Sequence, residues 1–309
     1  MKNLLIDGNN ILYMNYFTIK DIEDEQELNN ETISRFLHSL IDITFKVNNV
    51  GKIYVFFDGY PKRRKDIYPQ YKDGREKQQK AKISVKEISK VVTPVLTLLG
   101  IDVYQDKHEE SDDVIASFVN QHDSDINVIV SSDKDFYQLV SDRTVIYRYG
   151  IKNGGFYDVE RVIRETGVEP DRFHIYKCFV SDPSDNIKGV SRLRKKVIKK
   201  LIRIGDVDDI LSSPKTEQLC SKSEYEKIIN ASDNLRLNRK LVTMVSDINI
   251  EEYRKSSGIN VKLAKKILHD NGIGSIPIAQ LILDKSYFVK FGNTDPDVSI
   301  INTSGIDDL

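Results

Sequence analysis

The chain has 309 residues, 39% of them apolar and 30% charged, with 46 basic against 47 acidic side chains and a formal net charge of −1. Such a length suggests about two domains and supplies ample core, and the apolar content excludes a disordered polyelectrolyte. No apolar run reaches the ~18 residues of a membrane span, and a near-neutral total excludes a uniformly basic nucleic-acid glove. Short β-branched or aromatic runs predict strands at Leu4–Asp7, Lys52–Asp58, Ile101–Gln105, Ile126–Ser131 and Val145–Tyr149. Helical spacing lies between them, at Ile33–Phe45, at Ile83–Leu99 with an interruption at Pro94, and at Val114–Val119. Strands alternating with helices predict an α/β layer with a largely parallel sheet. Asn153-Gly154-Gly155 reads as a turn closing a hairpin. Beyond it come helices at Val159–Thr166, Pro170–Val180, Leu193–Ile204, Glu224–Val245 and Val261–Asp270, so a boundary is expected near 150–158. The polar last fifteen residues read as a mobile tail. The N-terminus lacks a signal peptide's apolar region and cleavage site, and Cys178 and Cys220 make no disulfide framework, so a cytoplasmic protein is expected.

Acids recur where strands end. Asp7 closes the first strand and Asp58 the second. Glu110, Asp112 and Asp113 follow the third, and Asp133 and Asp135 the fourth. The carboxyl ends of parallel strands line one edge of a sheet, where ligands generally bind. Seven carboxylates brought to one edge repel one another unless a cation is present. Hard divalent ions take oxygen ligands, and no Cys/His spacing for zinc is present. The chemistry implied is two-metal phosphodiester hydrolysis. The plainer alternative is helix capping, since Asp and Glu are favoured in any first helical turn.

Two basic clusters accompany the acids. Residues 60–90 hold eleven basic against four acidic side chains, with Tyr68 and Tyr71 interleaved near Lys72 and Arg75. Such a segment suits single-stranded nucleic acid, cations following phosphates while bases stack on rings, although Lys77 to Lys90 also fits a solvated helix face. Arg192–Arg203 carries seven cations and no acid, including Arg194, Lys195, Lys196 and Lys199, around an apolar stripe at helical spacing. Asp182 and Asp185 stand just before it. They either form salt bridges with it or lean toward the metal cluster while the helix grips a duplex.

In this order the motifs resemble the structure-specific 5′-nucleases: flap endonucleases, the N-terminal exonuclease domain of bacterial DNA polymerase I, and phage 5′-exonucleases including the T-even ribonuclease H. The resemblance runs from Asp7 to about Arg203. It is carried by Ile6-Asp7-Gly8-Asn9-Asn10, Phe57-Asp58-Gly59, Arg64 through Tyr68-Pro69-Gln70-Tyr71-Lys72 to Arg75, Glu110-Ser111-Asp112-Asp113, Ser132-Asp133-Lys134-Asp135-Phe136 and Asp182-Pro183-Ser184-Asp185-Asn186. It implies a PIN-like α/β nuclease core over 1–155, with a basic arch at about 60–90. A helical duplex-binding domain over 156–309 would carry a degenerate helix-hairpin-helix. Asp7, Asp58, Glu110 and Asp112, with Asp113 adjacent, would form a first metal cluster. Asp133, Asp135 and Asp185, supported by Asp182, would form a second. Two Mg²⁺ ions are implied, with Mn²⁺ as a substitute. Lys72 and Arg75 would steady the scissile phosphate, Tyr71 would stack on a nucleotide, and Arg64, Arg192, Arg194, Lys195, Lys196 and Lys199 would contact nucleic acid.

Two departures stand out. Gly189-Val190 survives, but Arg192-Leu193-Arg194 stands where the family has Gly-Ile-Gly, which removes glycines suited to positive φ, shifts the expected duplex grip to side chains and leaves the family's potassium site open. Glu109 precedes Glu110, leaving the ligand between them open. The resemblance implies a monomeric 5′-3′ exonuclease or flap endonuclease with RNase H activity, acting on flaps, nicks and primers of DNA or RNA–DNA hybrid in phage-type replication. A clamp or single-strand-binding protein would be its partner, and the host cytoplasm its place. Gln280–Phe288 approaches a clamp-binding peptide but sets its aromatic pair one residue late, so it reads as an ordinary helix. The alternatives are an inactive nucleic-acid-binding module and a ribonuclease of structured RNA.

Overall fold

The structure, a computed structural model, describes residues 1–74 and 79–283. Seven strands appear in chain order: β1 (Lys2–Asp7), β2 (Lys52–Phe57), β3 (Asp102–Gln105), β4 (Ile126–Val130), β5 (Thr144–Arg148), β6 (Gly155–Tyr157) and β7 (Arg254–Lys255). The helices begin with α1 (Gly8–Thr18), α2 (Glu25–Val47), α3 (Lys62–Ile67), α4 (Gln79–Thr97), α5 (Ser111–Gln121), α6 (Val159–Thr166) and α7 (Pro170–Phe179). They continue with α8 (Lys195–Leu201), α9 (Val207–Ser212), α10 (Lys215–Leu219), α11 (Lys222–Asn230), α12 (Ser232–Val242) and α13 (Val261–Asp270). The protein is α/β with mostly parallel strand pairing, as expected.

Two compact units interleave along the chain. One gathers Met1–Asp58, Lys80–Asp106 and the segment from Ile250 on; the other gathers Gly59–Gln79 and Lys107–Asn249. The single boundary expected near 150–158 therefore gives way to four crossings. The physical reason lies in the basic segment after Asp58, whose Arg64 bonds to Glu110 and to the Leu241 carbonyl, residues remote in sequence.

In the first unit β1, β2 and β3 are parallel, and β7, which the sequence did not announce, adds antiparallel to β3. Leu4, Leu5 and Ile6 are all buried, as continuous apolar runs are in parallel sheets. The register pairs Asp7 with Phe56, so the acid ending β1 lies level with the end of β2. Helix α1 follows without a loop because Gly8 leaves room: a Cβ there would lie 2.6 Å from the Phe57 ring and 2.8 Å from the Phe56 carbonyl. Helix α4 runs through Pro94 instead of breaking there.

In the second unit β4 and β5 are parallel and β6 returns antiparallel on β5, as the Asn153-Gly154-Gly155 turn predicts. Val128, Ile129, Val130, Ile146, Phe136 and Tyr137 are buried in its core. The helix expected over Glu224–Val245 divides into α11 and α12 at Ala231, and past α12 the chain runs on without regular structure from Met244 to Asn249. Among the described residues no helix is long and apolar enough to cross a membrane. The expected terminal tail lies outside the described residues, as does the aromatic pair of the clamp-like segment.

Candidate active site

The first unit carries two of the acids. Asp7 is 5% exposed and caps α1, its Oδ1 accepting the Asn10 N–H at 3.0 Å. Asn9, two residues on, accepts the Asp58 N–H on its Oδ1 at 3.0 Å. One short turn thus organises both strand ends, while the Asp58 carboxylate stays exposed.

The second unit holds the remaining acids in two clusters. At the start of α5, Glu110 occupies the capping position yet makes no side-chain capping bond, so capping does not account for it. Lys72 Nζ donates to its Oε1, and Arg64 Nη1 donates to its Oε2 at 2.6 Å. Arg64 also forks onto Asp113, at 2.5 Å to Oδ2 and 2.9 Å to Oδ1, and its Nε donates to the Leu241 carbonyl at 2.8 Å. Burial alone pushes the Glu110 pKa up, but Lys72 and Arg64 outweigh it and hold the carboxylate ionised below the usual range. Arg64, expected on nucleic acid, is instead 6% exposed with its donors turned inward. Asp113, expected beside the metal ligands, is 1% exposed, and its Oδ1 also accepts the Val245 N–H at 2.9 Å, so both its oxygens are engaged by the protein. Asp112 is half-buried on the same turn. Glu109 faces Arg63 at 3.4 Å.

The second cluster joins two turns. After β4, Asp133 Oδ1 accepts the Asp135 N–H at 2.8 Å, and Arg148 holds the Ser132 carbonyl at 2.9 Å. After α7, Asp182 and Ile187 exchange both backbone bonds, at 2.8 and 2.9 Å, around the turn bearing Asp185, with Asn186 in the left-handed region at φ 60°. This hairpin folds back so tightly that a Cβ on Gly189 would lie 2.4 Å from the Phe179 carbonyl. Lys177, on α7, bridges the two turns, with Nζ 2.7 Å from Asp135 Oδ1 and 2.7 Å from Asp182 Oδ2. Burial and the neighbouring Asp133 push the Asp135 pKa up to about 6 against the pull of Lys177. For Lys177 burial works downward, and Asp135 and Asp182 together raise it.

Tyr71 and Lys72 link the two clusters. Tyr71 Oη lies 3.1 Å from Asp185 Oδ2, and the Lys72 N–H donates to the Asp185 carbonyl at 3.1 Å while its ammonium reaches Glu110. Lys72 adopts φ 59° to do so. The Tyr71 ring, expected to stack on a nucleotide, is 3% exposed, with the Lys72 ammonium 5.2 Å from its centroid. Arg75 lies outside the described residues.

All candidate donors are carboxylate oxygens, which suits a hard divalent ion. Among the described residues no three His, Cys, Asp or Glu side chains converge closely enough to hold one. Lysine and arginine stand between the acids instead. The donor chemistry fits such an ion; the present spacing is set by ammonium bridges.

Over residues 2–167 the chain matches the family model for the 5′-3′ exonuclease N-terminal, resolvase-like domain. The 5′-3′ exonuclease of Aquifex aeolicus (strain VF5) is 30% identical over 255 residues, 81% of this chain and 84% of that protein. The chain belongs to the 5′-3′ exonuclease family. DNA polymerase I of Bacillus subtilis (strain 168) is 27% identical over 286 residues, 89% of this chain but 32% of the polymerase, so the chain spans about a third of that relative's length. In fold it is similar to the bacteriophage T5 flap endonuclease, solved in a pseudo-enzyme–product complex with DNA and metal ions, with a TM-score of 0.65 at 17% identity over 91% of this chain and 100% of that one.

Within this 5′-3′ exonuclease-family chain the second basic cluster is only partly outward-facing. Lys195 and Lys196 are exposed on α8, while Lys199 runs beside Gly167 at the end of α6, where its charge suits the helix terminus. Arg194 forks onto Glu224 at 2.6 and 2.5 Å, tying the start of α8 to the capping box that opens α11. Arg192 is exposed and adopts φ 54°, so the left-handed geometry persists without a glycine. Sequence reasoning missed Lys177, Gln138, Asn234 and Asn238. Asn238, 1% exposed, donates to the Cys178 and Lys188 carbonyls at 2.8 Å each, and Asn234 also donates to Lys188. For the two asparagines no local signal exists, because their partners lie 46 to 60 positions away.

Proposed function

We propose that this chain is a divalent-metal-dependent 5′-nuclease that hydrolyses phosphodiester bonds near the junction of single strand and duplex, removing 5′ flaps or RNA primers. The observation that carries the reading is the pairing of two carboxylate clusters with one cationic loop, Lys72 being bonded to both. Mg²⁺, or Mn²⁺ in its place, would be held by Asp7, Asp58, Glu110 and Asp112 and by Asp133, Asp135, Asp182 and Asp185. When bound, such ions activate water and stabilise the attacking and leaving oxygens. Lys72 would turn from Glu110 toward the scissile phosphate and steady its developing charge. Lys195, Lys196 and Arg192 would follow the duplex backbone, a contribution that weakens as salt rises. RNA–DNA hybrid is a proposed substrate beside flap DNA, and replication proteins are proposed partners.

A second reading, binding without cleavage, is favoured by the ammonium groups standing between the acids. One experiment separates the two. End-labelled flap DNA, a primer-length RNA–DNA hybrid and a folded RNA are incubated with the protein in Mg²⁺, in Mn²⁺ and in EDTA. Metal-dependent cutting at the junction, abolished by EDTA while the flap stays bound, supports the nuclease. Binding with no cutting under any ion overturns it, and cutting of folded RNA alone reassigns the substrate.

A further inference from the structure

Gln138 lies one turn beyond Asp135, in the single-turn helix Asp135–Leu139. Both ends of its carboxamide are in use. Nε2 donates to the Asp135 carbonyl at 2.9 Å and to the Val242 carbonyl at 3.2 Å, and Oε1 accepts the Met244 N–H at 3.1 Å. One planar group thereby joins the turn bearing Asp133 and Asp135 to the chain that leaves α12.

The same stretch of chain fastens the other acid-bearing turns of its unit. Asn234 and Asn238 hold the base of the Asp182–Ile187 hairpin through the Lys188 carbonyl. The Leu241 carbonyl receives Arg64, which grips Glu110 and Asp113, and the Val245 N–H donates to Asp113 directly. Farther along, the Val245, Ser246 and Ile248 carbonyls accept from Ser117, Asn120 and Gln121. Outside helices and strands a backbone must satisfy its N–H and C=O groups elsewhere, and here side chains from the acid-bearing turns and from α5 supply the partners.

We propose that Asn234–Ile248 is a template that sets the spacing of the carboxylate turns, and that Gln138 is the positioning residue coupling Asp133 and Asp135 to it. The inference rests on the nuclease reading, since spacing matters only if the acids act together on an ion or a phosphate. An amide is required at this position: it must donate to one carbonyl-rich side and accept from an N–H on the other, which neither a carboxylate nor an ammonium does. Misplacement of a reacting group by about 1 Å lowers rates on the order of a hundredfold, so a single hydrogen bond acting on backbone position has a large readout.

The test compares the same change at two glutamines that each bond to the Asn234–Ile248 segment. Gln138→Met removes the link to Asp135, and Gln121→Met removes the bond to the Ile248 carbonyl, away from the acids. For wild type and both variants, Mn²⁺ binding is titrated by electron paramagnetic resonance with the metal alone, flap affinity is measured in EDTA, and kcat and KM are measured on flap DNA. Both variants are expected to melt a few degrees lower, with flap affinity unchanged. Only Gln138→Met is expected to bind Mn²⁺ more weakly and to lose roughly tenfold or more in kcat at a KM within about twofold. Gln138→Asn, which keeps the amide but reaches only one side, should fall between, and it carries the comparison if the methionine variant does not fold. Wild-type kcat and Mn²⁺ affinity in a folded Gln138→Met, or equal losses in both variants, overturns the proposal. A wild type that neither binds Mn²⁺ nor cuts removes the nuclease reading itself.

Discussion

The two carboxylate clusters of the second unit are built from the same residue types and are neutralised in different ways. Around Arg64, the side chains of arginine, Glu110 and Asp113 are 7, 5 and 1% exposed, and the guanidinium makes a bidentate fork. Around Lys177, the side chains of lysine, Asp135 and Asp182 are 14, 22 and 19% exposed, and one point charge serves two acids. Arginine is always charged and pre-organised for carboxylate, whereas an ammonium is a compact charge that another cation can replace. Acids of one kind are thus held in two ways, and the identity and depth of the facing cation tell the two apart. On that criterion Asp113 is held as part of the frame, and under the proposed nuclease reading Asp135 and Asp182 are the acids whose facing cation a metal would replace.

Breaking the frame should cost most. Arg64→Met should strip the buried Asp113 of its guanidinium and leave Glu110 with Lys72 alone, destabilising the protein by about 3–5 kcal/mol, read as a lower midpoint in urea. Arg64→Lys should rescue little, because one ammonium cannot reproduce the fork. Loss below about 1 kcal/mol in either variant would place Arg64 outside the frame. The next effect tests exchangeability. Lys177→Met should lower the melting temperature in EDTA, since Asp135 and Asp182 then face each other without a cation, and added Mg²⁺ should restore more of it than it adds to wild type. An equal response to Mg²⁺ in both proteins would show that lysine and metal do not compete.

Much of this was legible in the sequence. Five strands and the Asn153–Gly155 hairpin followed from short apolar runs between turn residues, because parallel strands are buried on both faces and write their pattern locally. The positions of Asp7 and Asp58 followed for the same reason, each closing such a run. What could not be read depends on distant partners. Arg64 lies in a segment with every sign of an exposed cationic loop, yet its donors find Asp113 and Leu241, 49 and 177 positions on. Lys177 sits on a helix with no unusual local pattern, and its role appears only once two turns meet beside it. The division of the predicted Glu224–Val245 helix at Ala231 likewise has no glycine or proline to announce it.

Acid pH offers a subtler way to probe the clusters, provided a third group is separated from them. His174 on α7 is pushed down to about 4 by burial and, secondarily, by Arg239. Its folded-state pKa is below the unfolded value of 6.5, so the unfolded chain takes up a proton first as pH falls. The associated stability is present above pH 6.5 and drains away between 6.5 and about 4, amounting to about 1–3 kcal/mol. His174→Gln should remove this component from a denaturation series across that window. Whatever slope persists then reports on the carboxylates. An unchanged slope would mean that His174 is not held neutral in the fold.

Backbone strain at Arg192 offers a weaker contrast. Arg192 takes φ 54°, and Arg194, two residues on, takes an ordinary φ of −69°. A left-handed conformation costs a non-glycine residue roughly 1–2 kcal/mol, while glycine loses about 0.4–1 kcal/mol through the unfolded chain's extra freedom. Arg192→Gly should therefore stabilise the protein by about 0.5–1 kcal/mol. Arg194→Gly relieves no strain and breaks the fork to Glu224, so it should melt lower than wild type. If the Arg192 side chain also follows a duplex, the stabilised variant should bind flap DNA more weakly and with a shallower salt dependence, by about one unit of slope. Higher stability with an unchanged salt slope would separate the two properties. It would leave the arginine as a strained residue with no part in the grip.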